Sequence, residues 1–113
     1  MALPLNIFKT VVKVLTENPV GIYTAPVGYN GVVLLAQVAN TGSTTETVTF
    51  SHQRNVSGIA VTTEIVKDFP IPANDTASFL DGKLVVETND ILVISGSDSS
   101  NLKFTGSILE TLK

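Results

Sequence analysis

Apolar and polar positions fall into short runs separated by turn residues along the whole chain. The longest continuous signal is residues 31–53, GVVLLAQVANTGSTTETVTFSHQ. It predicts two strands joined by a short polar turn, a β-hairpin around which the rest packs. Val32, Val33, Leu34, Leu35, Ala36, Val38 and Ala39 make the first half almost wholly apolar. A run of this length bounded by turn signals suits a strand covered on both faces. A buried helical segment could be equally apolar, but the flanks decide against it. Gly28, Asn30 and Gly31 precede the run, and Asn40, Thr41, Gly42 and Ser43 follow it. Glycine and asparagine tolerate positive φ, and short polar side chains bond their own backbone. The second half alternates: Thr45, Thr47, Thr49 and Ser51 on one side, Glu46, Val48, Phe50 and His52 on the other.

The same reading applies elsewhere. Residues 8–16 carry Val11, Val12, Val14 and Leu15 and predict a strand by their β-branched content, ended by Glu17, Asn18 and Pro19. A short strand over 20–24 leads into the Pro26–Gly28 turn. Residues 54–58 read as a loop and 59–69 as a long strand. Pro70 and Pro72 then break the pattern, since proline cannot donate to a ladder. Strands follow over 76–80 and 83–87, with Asp81-Gly82 between them as a two-residue hairpin turn. Strands over 91–95 and 102–110 flank the small polar loop 96–101. No stretch has the periodicity of a helix of ten residues or more. Eight or nine strands at this spacing predict an all-β fold, a two-sheet antiparallel sandwich of jelly-roll or immunoglobulin-like topology. The sequence leaves the strand order open.

The N-terminal residues 1–7 read as an arm ahead of a single β-sandwich domain over 8–113. Pro4 lacks a donor, while Leu3, Leu5 and Ile7 are too apolar for a free tail, so the arm is expected to dock on its own domain or on a neighbour. The N-terminus has neither the basic start nor the apolar core of a secretion signal, and no run approaches the length of a membrane-spanning helix.

Composition narrows the function classes. The 113 residues suffice for one independent core. There is no cysteine, so disulfides, thiolate metal sites and a cysteine nucleophile are excluded. A net charge of −3, with the cations scattered singly, argues against nucleic acid. Charged residues are only 15% against 43% hydrophobic, a surface poorer in charge than a soluble monomer needs and suited to burial among neighbours.

Candidate chemistry is thin. His52 is the one histidine and lies beside a predicted loop with no second histidine and no carboxylate at ligand spacing, so it reads as an interface residue. Asp75, Asp81 and Asp90 each adjoin Gly or Asn, Asp68 lies two residues before Pro70, and all four read as turn caps. The loop 95–101 has many oxygens but a single carboxylate, too little charge for calcium. Neither a Gly-x-Ser-x-Gly elbow nor a glycine-rich phosphate loop is present. Tyr23 and Tyr29 flank the Pro26 turn and could stack on a sugar, with packing as the plainer role. These residues predict no enzyme, no cofactor and no metal.

Three segments carry a resemblance: residues 22–28 (IYTAPVG) followed by 32–40 (VVLLAQVAN) and a Ser/Thr-rich hairpin; residues 69–76 (FPIPANDT); and residues 80–90 (LDGKLVVETND) with the terminal 107–110 (SILE). Over about residues 20–110 the chain resembles small β-sandwich virion structural proteins of tailed bacteriophages, of the marine and cyanobacterial type. Where that pattern has glycine, this chain has Asn74 and Asn89, which can take the same left-handed turn. The resemblance implies a non-enzymatic virion component assembled in the host cytoplasm. Its partners would be other virion proteins and further copies of itself, with no nucleic acid and no membrane. A capsid decoration or cement protein is the first expectation; a neck, tail or baseplate component, or a carbohydrate-binding host-adhesion module, are the alternatives. The residues expected at interfaces are Leu3, Leu5, Ile7, Phe8, Tyr23, Tyr29, His52 and Arg54.

Overall fold

The computed structural model describes residues 5–113, and these contain nine strands and no helix. They are β1 (Asn6–Val14), β2 (Val20–Thr24), β3 (Tyr29–Asn40), β4 (Glu46–Val56), β5 (Ile59–Ile71), β6 (Asp75–Ser78), β7 (Leu84–Val86), β8 (Ile91–Gly96) and β9 (Leu102–Leu112). One sheet has the order β1-β9-β3-β6, with β7 also on β3; the other has the order β2-β8-β4-β5. Every pairing is antiparallel. The expected two-sheet sandwich is therefore the fold.

The order also settles which sandwich. β6 and β7 occupy successive stretches of the same edge of β3 and act as one interrupted strand. Counted that way, the first strand pairs with the last, the second with the next to last, and so inward to the β4–β5 hairpin. That is one long antiparallel ribbon. Rolling it brings β9 onto β3 and β8 onto β4, which closes a jelly roll.

Two expected hairpins are not formed. β3 and β4 lie in different sheets, so residues 41–45 cross between layers, and the neighbours of β3 are β9, β6 and β7. Asp81-Gly82 does not close a hairpin either, because β6 and β7 both pair with β3 and not with each other. The tight turn lies instead at Ser57-Gly58, inside the segment read as a loop. Val56 pairs with Ile59 across it, and both turn residues have positive φ, 52° and 83°. Two positive-φ residues make a type I′ turn, whose twist matches the strands it joins. Asn74 and Asn89 do adopt the left-handed conformation, at φ 59° and 70°.

Asn6 and Ile7 pair with Thr111 and Glu110, so β1 begins inside the segment read as an arm. Leu112 N–H donates to Leu5 O at 2.8 Å and fixes the start of the strand. Leu3 and the rest of residues 1–4 lie outside the described residues.

The core fills the space between the sheets. Phe50 of β4 is fully buried, with its ring 5.7 Å from that of Phe79 and 6.0 Å from that of Phe104 of β9. Val33, Val38, Val48, Leu92, Ile94, Leu102 and Ile108 pack around it from inward positions of their strands.

Candidate interaction surface

Tyr23 and Tyr29 are 8% exposed, so neither offers a ring face to a sugar or a partner. The expectation that placed them at an interface is corrected by their register: both stand at inward positions next to the core. Tyr23 reaches from β2 to the opposite sheet, where its hydroxyl donates to Glu110 Oε2 at 2.7 Å. Lys9 Nζ lies 3.3 Å from the same oxygen. Burial, together with the neighbouring carboxylate, pushes the Tyr23 phenol far above its ordinary value. Gly31 makes the arrangement possible: a Cβ there would stand 2.7 Å from the Tyr23 hydroxyl oxygen. Among the described residues, Tyr23→Phe leaves buried Glu110 with half-exposed Lys9 as its one side-chain partner. It is expected to cost about 1–2 kcal/mol, read in urea as a lowered midpoint at unchanged slope.

His52 and Arg54 converge on Asp90, a side chain that is almost fully buried. His52 Nε2–H donates to Asp90 Oδ2 at 2.9 Å. Arg54 Nε–H donates to both Asp90 oxygens, and its Nη2 group to Asp90 Oδ2 at 2.7 Å and Glu87 Oε2 at 2.8 Å. The Glu87 N–H donates to Asp90 as well. Burial alone would raise the Asp90 pKa, but the hydrogen bonds from Arg54, His52 and the Glu87 N–H outweigh it and hold the carboxyl below its usual range. The guanidinium is pushed up in turn, chiefly by its hydrogen bond to Asp90. Asp90 is thus the centre of an ion network that locks β4 to the β7–β8 connection, well beyond the turn cap expected of it. Neither His52 nor Arg54 is a free interface group. Asp75, by contrast, does cap its own turn, through Thr76 N–H at 2.8 Å.

Leu5 and Phe8 are exposed, Phe8 by 76%, whereas Ile7 is half-buried. The register places Phe8 opposite Leu109, Leu109 opposite Val32 and Val32 opposite Val85. These four side chains form an apolar row across the outer face of the first sheet, open at both ends, with Val85 51% exposed. Leu34, on a bulge beside the row, is 40% exposed. The apolar run of β3 is therefore covered on its inner face only.

The same end of the sandwich carries more apolar surface. β4 loses its β8 neighbour after Gln53, so Arg54–Val56 and Ile59–Val61 overhang as a two-stranded ribbon. Val56, Ile59 and Val61 on it are exposed, as is Val27 in the β2–β3 connection. Sequence reasoning missed this overhang by reading 54–58 as a loop; the Ser57-Gly58 pair between two β-branched residues was the available signal. Among the described residues no group of three or more His, Asp or Glu side chains is placed to hold a metal ion, and no helix is long and apolar enough to cross a membrane.

No protein-family model and no curated protein sequence matches the chain. Among solved structures, the chain is similar in fold to one described as "Bacillus endospore appendages form a novel family of disulfide-linked pili". The TM-score is 0.50 at 18% identity, over 96% of this chain and 88% of that one. At that identity the likeness concerns the fold alone.

Proposed function

We propose that this chain is a non-enzymatic structural subunit whose outer β-sheet face is covered by other subunits of an assembly. The observation that carries this reading is the apolar row Phe8–Leu109–Val32–Val85, flanked by Leu34. A strand as apolar as β3 belongs under cover on both faces, and the chain's own fold supplies one. The particle is a tailed-phage virion on the strength of the sequence resemblance, and the role a capsid decoration protein that adds interface to a shell. Binding to an assembled state stabilises that state by mass action, and repetition over many sites multiplies weak contacts. A neck, tail or baseplate component uses the same surface at lower copy number.

The fold neighbour is described as belonging to pili, which is in keeping with an assembly role. The disulfide linkage of those pili has no counterpart in a chain without cysteine. The carbohydrate-binding alternative loses its stacking platform, since both tyrosines are in the core.

The double substitution Phe8→Glu with Val85→Glu tests the surface. Both side chains point into solvent, so the variant is expected to unfold within about 1 kcal/mol of the parent yet to be lost from purified particles. Retention at the parental copy number would overturn the role of this face.

A further inference from the structure

A sheet edge exposes unpaired N–H and C=O groups and invites another strand unless something blocks it. Among the described residues nearly every edge carries such a block. β1 has Lys9 and Lys13; β2 is five residues long with a register irregularity; β6 and β7 have four and three residues. The second half of β5 has register irregularities, Lys67, Asp68 at φ 50° and Pro70. Its first half, Ile59-Ala60-Val61-Thr62-Thr63, has no charge, no proline and no bulge, and all five residues are exposed.

We propose that this segment pairs antiparallel with the same segment of a second copy of the chain, about a two-fold axis at Val61. Backbone phase restricts the register to those that pair outward residues with one another, and the apolar Val61 pair at the axis selects among them. The two-residue turn closes on a hydrogen-bonded Val56–Ile59 pair, so Ile59, Val61 and Thr63 direct their backbone groups toward β4. Ala60 and Thr62 direct theirs outward. Centring on Val61 sets Ala60 opposite Thr62 of the partner subunit, and Thr62 opposite Ala60 of the partner subunit. All four outward N–H groups then meet carbonyls, in four hydrogen bonds.

The same register makes Val61 against Val61 of the partner subunit a non-hydrogen-bonded pair, the closer of the two pair types. Apolar side chains already exposed in one copy then meet at the axis. Ile59 faces Thr63 of the partner subunit, and Glu64 faces Gly58 of the partner subunit, so no like charges are opposed. Two jelly rolls join through one continuous sheet, with strand order β2-β8-β4-β5 followed by its mirror order. The self-pairing concerns a different surface from the outer face invoked above and does not depend on the particle.

The chain has no cysteine, so a single introduced thiol reports on one position. A symmetric non-hydrogen-bonded pair has Cα atoms about 4.5 Å apart, within the range a disulfide spans. Val61→Cys is expected to oxidise to a covalent dimer at least about tenfold faster than Ser99→Cys at the far end of the sandwich, because self-pairing raises the effective thiol concentration. The wild-type chain is expected to sediment with a dimer component at roughly 100 µM, a concentration that reveals even weak association. Thr62→Pro removes an outward N–H and is expected to abolish that component while keeping a wild-type circular dichroism spectrum. A wild-type monomer at that concentration, or equal oxidation rates for the two cysteine variants, would overturn the proposal. A chain that is a stoichiometric particle component yet monomeric in solution would leave the proposed function standing and remove this pairing; a dimer absent from any particle would do the reverse.

Discussion

Phe50→Ala is expected to destabilise the domain by about 3–5 kcal/mol, the range for emptying a buried phenylalanine site. Phe50 is fully buried and its ring bridges the layers, stacked on Phe79 and on Phe104 of the facing sheet. Truncation removes both ring contacts and leaves a cavity between two hydrogen-bonded sheets that cannot collapse onto it. Thermal unfolding should shift down by roughly 10–20 °C. A shift of only a few degrees would mean that the sheets close over the gap, and that the ring stack is not the centre of the core.

Asp90→Asn has the second largest expected effect, a loss of about 1.5–3 kcal/mol at neutral pH, the range for hydrogen bonds to a charged group. The buried carboxylate accepts from His52, Arg54 and the Glu87 backbone; asparagine keeps the shape but turns an N–H₂ group toward donors. The half-exposed position of Arg54 keeps the loss from being larger, since water takes over part of its solvation. The pH dependence follows from the depressed carboxyl. Its stabilising contribution is complete above the ordinary value of 3.8 and is lost as pH falls through the lower folded value. Wild type and variant should therefore differ most near neutrality and converge in acid, as read by urea midpoints across the acid range. A gap that persisted unchanged into strong acid would remove the carboxylate from the explanation.

The alternation of Val48 and Phe50 against Thr47 and Thr49, and the apolar spacing of residues 102–110, were enough to specify two layers of strands. Both patterns are local, and period 2 translates directly into inward and outward faces. Partner choice was not legible, because a polar linker such as residues 41–45 can turn a hairpin or cross between sheets without changing its composition. The residues expected at interfaces divide along the same line. Phe8 is exposed because its register turns it to the outer face of the first sheet, and Leu5 lies just ahead of that strand. Tyr23 and Tyr29 are buried because Gly31 opens room for one ring and the register turns both inward. The Asp90 network joins residues 36 and 38 positions apart, a separation that no motif spacing announces.

β3 remains the most informative strand: its sequence asks for two covered faces, and the isolated domain covers one. Tailed-phage particles purified to homogeneity, with this chain quantified against a major shell protein by mass spectrometry, test that directly. The expected result is a stoichiometric component, in hundreds of copies for a shell decoration or in roughly six to eighteen for a neck, tail or baseplate part, multiples set by particle symmetry. Complete absence of the chain from particles, together with a monomer in solution that turns over a substrate, would contradict it.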